Sequence, residues 1–190
     1  NSVEFEQTDI NLSGLLDNPD QQNHLLSIYR EKLTQIVSDG ILKRLDLLNN
    51  IGSLYSRQEN YSMAMKCFDE AVKLFIQNKK SDRFFSQQFE SSMIRIYFGI
   101  SRVYYRQENW PMSLNNLERV LEFAVNQNQE HPMLAEIYHS MGLSYAHKLD
   151  ISMAIHYLEL AISTAKKTLP DDHPRVKLYF HHLRQLKPSM

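Results

Sequence analysis

The sequence has 190 residues, 43% hydrophobic and 23% charged, with a formal net charge of -1. This is the composition of a folded chain whose bulk charge favours neither nucleic acid nor a membrane surface. Five glycines and six prolines supply too little turn chemistry for an all-β fold, and one cysteine excludes an internal disulfide or a Cys-rich zinc site. No apolar run is long enough to span a bilayer and no secretory signal opens the chain.

In chain order, residues 1–23 form an acidic, weakly structured segment carrying Glu4, Glu6, Asp9, Asp17 and Asp20. Residues 1–20 show no clear period and are expected to be extended or disordered. A leading helix follows within 24–40, with Leu25, Leu26, Tyr29, Leu33, Ile36 and Val37 on one face. Residues 41–80 hold two amphipathic stripes. The first is Leu48, Ile51, Leu54 and Tyr55, and the second is Tyr61, Ala64, Met65, Phe68, Ala71, Val72 and Phe75. Residues 81–129 begin with an unusually long helix, expected from Asp82 to Gln107, and a second helix has Pro111 in its first turn. Residues 130–170 give another helix pair. Residues 171–190 give a last helix from Pro174, with Val176, Tyr179, Phe180, Leu183 and Leu186 inward and a mostly basic outer face that suits a terminal cap.

The pairs repeat one pattern. "SRQENYSMAM" (Ser56–Met65), "YRQENWPMSL" (Tyr105–Leu114) and "AHKLDISMAI" (Ala146–Ile155) align at offsets of 49 and 41 residues. Gly52, Ser101 and Gly142 form a small column, Tyr55, Tyr104 and Tyr145 a ring column, and Ala64, Ser113 and Ala154 a second small column. Asn60, Asn109 and Asp150 stand where a helix N-cap belongs. Such self-similarity over whole supersecondary units marks a solenoid. The fold class expected is therefore all-α, a right-handed solenoid of antiparallel helix pairs.

These columns resemble the tetratricopeptide repeat. "LLNNIGSLY" (Leu47–Tyr55), "NQEHPMLA" (Asn128–Ala135) and "TLPDDHPRV" (Thr168–Val176) are similar to the first helix and inter-repeat linkers of kinesin light chain-type arrays. The resemblance covers roughly residues 41–187. The units here are longer than the family's usual period of about 34 residues. No His-Pro precedes the second unit, which carries Ser101 and Ser113 at its small positions.

Catalytic chemistry is not legible. Eight histidines include no HExxH arrangement, and there is no Gly-rich phosphate loop. Cys67 precedes the core position Phe68 and reads as a half-buried packing thiol. No catalytic residue, metal or other cofactor is assigned. The expected role is a non-catalytic adaptor or scaffold in the cytoplasm, with protein or peptide partners and neither nucleic acid nor membrane. Two alternatives are a regulatory domain of a larger enzyme and a sensor of short peptides. The chain opens on Asn rather than Met, so it is expected to be a piece of something longer.

The resemblance also implies a concave groove lined by the first helix of each pair. It maps the groove onto Asp46, Asn49, Ser53, Ser56 and Arg57, then Arg95, Phe98 or Gly99, Arg102, Tyr105 and Arg106, then Glu136, His139, Leu143, Ala146 and His147, and finally Leu178, His181 and Gln185. On physical grounds Arg95, Arg102 and Arg106 share one helical face, and guanidinium groups grip carboxylates through paired hydrogen bonds. Asn49 can both donate to and accept from a peptide backbone. An extended, acidic peptide is the expected ligand, against a solvated face paired to local glutamates. The acidic residues 1–20 could themselves occupy the groove, against the plainer reading of a linker or lead-in.

Overall fold

The computed structural model describes residues 18–35, 40–78, 87–125 and 133–187. Among them the regular structure is eight helices: α1 (Pro19–Gln35), α2 (Ile41–Arg57), α3 (Tyr61–Asn78), α4 (Gln87–Arg106), α5 (Trp110–Val125), α6 (Leu134–His147), α7 (Ile151–Ala165) and α8 (Pro174–Leu186). They fall into two compact units, the first ending at Asn78 and the second starting at Lys79. The segment proposed to occupy the groove lies outside the described residues except for its last three. So do the His131-Pro132 linker, Ile36 and Val37, and the expected start of the long helix at Asp82.

In the first unit α2 and α3 pair through Leu45, Leu48, Ile51, Ala64, Phe68 and Ala71, all at most 2% exposed. α1 lies against α2. It starts at Pro19 rather than at residue 24, because local signals the apolar period misses are in place. The Asn18 side chain accepts from the Asp20 N–H at 2.9 Å, Pro19 suits the first helical position, and Asp20 favours the positive end of the helix dipole. The Gln22 side chain is buried where periodicity would seek a hydrophobe. Arg30 stacks over the Tyr55 ring at 5.7 Å.

The second unit packs α4 with α5, α6 with α7, and α8 alone against α7. One core joins Ile94 and Phe98 of α4, Leu114, Leu117 and Val120 of α5, and Ile137 and Met141 of α6. A second joins Leu158, Ala161 and Ile162 of α7 to Val176, Tyr179 and Leu183 of α8. α8 starts where the His-Pro pair predicts, with His173 Nδ1 accepting from the Arg175 N–H at 3.2 Å.

The turn within each pair is the same object three times. Glu59, Glu108 and Leu149 adopt φ of 59°, 58° and 62°. The next N–H reaches back to the carbonyl of Tyr55, Tyr104 or Tyr145, at 2.9, 2.9 and 3.0 Å. This is a Schellman closure. The side chains of Asn60, Asn109 and Asp150 then cap the following helix by accepting from Met63, Met112 and Met153 N–H groups at 3.1–3.2 Å. One residue therefore ends one helix and starts the next.

α8 is also held by aromatic stacking. The His139 ring of α6 lies 4.4 Å from Tyr179 and 5.0 Å from His182, and its Nε2 is 2.8 Å from His182 Nδ1. Burial, then the neighbouring His182, lowers the His139 pKa from 6.5 to about 4. His182 is lowered by burial and by His181.

Two outcomes follow from this architecture. Leu149 is 83% exposed in a left-handed conformation, so Leu149→Gly relieves backbone strain and loses little packing. It should stabilise the protein by about 0.5–1 kcal/mol in urea unfolding. The depressed pKa of His139 means that its neutral form stabilises the fold fully above pH 6.5, and that this contribution is lost as pH falls toward 4. Between pH 7 and pH 5 the second unit should lose about 2 kcal/mol. His139→Gln should flatten that dependence in denaturant titrations at the two pH values.

Candidate functional site

The residues mapped to a groove separate by unit. In the first unit Asn49, Ser53 and Arg57 lie along α2, each half-buried. Among the described residues Asn49 Oδ1 is buried without a hydrogen-bond partner, while its amide nitrogen lies 3.5 Å from Asn50 Oδ1. An acceptor of this kind is costly unless something donates to it.

In the second unit a pocket of about 280 Å³ opens between α4 and α6. Arg102, Tyr105 and Arg106 form one wall, and Glu136, His139 and Leu143 form the other. Ser101, Ser113 and Ser140 also line it. The two guanidinium groups share the pocket because residues four apart lie one above the other on a helix. Both already make polar or electrostatic contacts within the protein, so a ligand anion exchanges partners rather than filling a vacancy. The Glu136 carboxylate is 3.8 Å from Arg175 of α8. Its field, after burial itself, helps push the buried Tyr179 hydroxyl up to about 12.

A second pocket of about 230 Å³ begins on the far side of Leu143, lined by Ala146, His147, Leu158, His182, Gln185 and Leu186. Leu143 belongs to both and is the ridge between them. At the rim His147 stacks on Trp110 at 4.2 Å and approaches the Tyr105 hydroxyl at 3.0 Å. That contact fixes one edge of the groove, and burial raises the Tyr105 pKa.

Of the residues mapped to a groove from sequence, the structure brings Phe98, Arg102, Tyr105, Arg106, Glu136, His139 and Leu143 to one pocket and Ala146, His147 and Gln185 to the other. Arg95 sits apart, half-buried, with Nη2 3.4 Å from Ser92 Oγ. His181 faces outward on α8 and bonds with Gln185 at 3.1 Å. His139 is more committed to packing than a groove residue would be, at 8% exposure. The serines, His182 and Leu186 were not nominated. The small columns could have flagged Ser101 and Ser113, but His182 enters only because α8 folds beside α6. Among the described residues no cluster of three or more His, Cys, Asp or Glu could hold a metal ion. No described helix is long and apolar enough to cross a membrane. Cys67 is half-buried, and burial followed by nearby Glu70 raises its thiol to about 11, far from a nucleophile's range.

No curated protein matches the chain in sequence. Solved structures do match in fold. BtubC (BKLC) from P. vanneervenii superposes with a TM-score of 0.74 at 16% identity, over 96% of this chain and 71% of that one. The nearly identical TPR-like repeats of a Podosopora anserina protein assigned as a kinesin light chain give 0.63 at 16% identity, over 88% and 78%. The N-terminal domain of stress-induced protein-1 (STI-1) from C. elegans gives 0.56 at 15% identity, over 78% and 98%. At these identities the likeness is one of fold: an all-α solenoid of helix pairs, with kinesin light chain-type arrays among its counterparts. The family signature itself matches twice, at residues 45–75 and 92–167, together more than half of the chain. The chain belongs to the tetratricopeptide repeat family.

Proposed function

We propose that this protein is a non-catalytic recognition module whose α4–α6 groove binds an extended peptide segment through an acidic side chain. Tetratricopeptide repeats are protein–protein interaction scaffolds, and the finer reading rests on one observation. Arg102 and Arg106 form one wall of a side-chain-sized pocket, and Leu143 lines both that pocket and a second one. Volumes of about 280 and 230 Å³ fall below the usual range for an enclosed small-molecule site and suit successive side chains of a longer ligand. Charge-assisted pairing to guanidinium supplies orientation and much of the strength. On the same reading the repeats run over 41–80, 81–129 and 130–170, with 171–190 as the closing helix. Asn49 of the first unit offers a buried acceptor suited to a backbone N–H.

Fluorescence anisotropy with labelled peptides of one length, each carrying a single acidic, neutral or basic central residue, tests this. The acidic peptide should bind selectively, and more weakly as salt rises. Arg102→Glu should weaken it at least tenfold with an unchanged melting curve. Equal binding of all three peptides, or full binding by the variant, would overturn the assignment.

A further inference from the structure

The α4–α6 pocket is not uniformly basic. Glu136 stands in its α6 wall opposite Arg102 and Arg106, and burial beside Tyr179 and His182 holds His139 neutral near pH 7. The pocket therefore presents two guanidinium groups and one carboxylate. A ligand rich in acidic side chains gains at the α4 wall and is repelled at the α6 wall.

Glu136 is not neutralised by its neighbour. Its partner among the described residues is Arg175 at 3.8 Å, and the two side chains are 34% and 51% exposed. That separation is beyond hydrogen-bond reach, and an exposed pair of this kind contributes little. Other ion pairs among the described residues are closer, such as Arg44–Glu70 and Lys166–Asp171 at 3.0 Å and Lys187–Glu159 at 2.7 Å. The carboxylate oxygens of Glu136, which lines the pocket, thus keep acceptor capacity. Its backbone is held independently, because Ser140 Oγ donates to the Glu136 carbonyl at 2.9 Å.

We infer that Glu136 sets the specificity of this pocket, which recognises a pair of opposite charges on one face of an extended peptide. This rests on the peptide-groove reading above. An acidic residue addresses Arg102 and Arg106, and a Lys or Arg two positions away addresses Glu136. In an extended chain, residues i and i+2 point the same way about 7 Å apart. Such a pair can address both walls together, because Arg102, Arg106 and Glu136 line the same pocket. Glu136 is a charge filter: it admits acid-x-base segments and disfavours acid-x-acid segments of equal length.

The experiment uses the full chain and two labelled eight-residue peptides that differ only in having Glu-x-Lys or Glu-x-Glu at the centre. Each is titrated against the native protein, Glu136→Gln and Arg102→Glu, with thermal melts for all three proteins. Gln keeps the size of Glu, so Glu136→Gln is expected to melt like the native protein. Binding of Glu-x-Lys at least tenfold tighter by the native protein, with the preference falling toward parity in Glu136→Gln, is the expected result. Equal or tighter binding of Glu-x-Glu, still lost in Arg102→Glu, would overturn the filter and leave the groove standing. A preference for Glu-x-Lys that survives Glu136→Gln would likewise remove Glu136 from the role. Failure of both peptides to bind the native protein would overturn the groove itself.

Discussion

Everything in this protein depends on how closely the two helices of a pair can approach. In the first unit a Cβ on Gly52 would stand 2.8 Å from the Phe68 ring, and in the second unit one on Gly142 would stand 2.8 Å from Leu158 Cγ. Phe68 and Leu158 are both fully buried, so neither has free space to retreat into. The missing side chain on one helix lets a large one on its partner reach the axis. The α4–α5 pair has Ser101 and Ser113 at these places instead. Ser101 Oγ donates to the Phe98 carbonyl at 2.7 Å, which removes the cost of a buried hydroxyl. Ser113 Oγ lies 3.4 Å from Ser144 Oγ of α6, linking that pair to the next. Both Ser101 and Ser113 line the larger pocket. The position where the repeat departs from its own pattern is also where the structure opens.

The turns perform a second, separate task. Each must reverse the chain within three or four residues while satisfying the loose carbonyls of one helix and the loose N–H groups of the next. A left-handed residue followed by Asn or Asp does both. Glycine would be the residue of least strain at the first place, yet the chain uses Glu, Glu and Leu there. The surrounding bonds hold them in place, as do the buried Tyr55 and the half-buried Tyr104 and Tyr145 just before them.

Much of the fold was legible because its determinants are local and periodic. The caps at Asn60, Asn109 and Asp150, the start of α8 at Pro174, and the small columns depend on side chains within a few residues or one helical turn. α1 was misplaced by five residues because its start rests on Asn18, Pro19 and a buried Gln22, and not on apolar spacing. The site was less legible. Arg102 and Arg106 could be placed on one face by counting, and Leu143 by the family pattern. The family pattern also put Glu136 on the groove face, but sequence does not show that Arg175 stands 3.8 Å from it. The pocket's second half depends on His182 and Leu186, which come from a helix that meets α6 only after the chain has folded back over α7.

The contact between His139 and His182 carries a further consequence. Their facing nitrogens are 2.8 Å apart, a spacing that holds one shared proton between two neutral rings. If that proton belongs to His182 Nδ1, His139 must carry its own on Nδ1. If it belongs to His139 Nε2, His182 must carry its own on Nε2. The tautomers of two imidazoles 43 positions apart are thereby a single joint variable. When α8 leaves its seat, each ring regains an independent choice. The proton register of this pair is a chemical record, written in two nitrogens, of whether the last helix is docked.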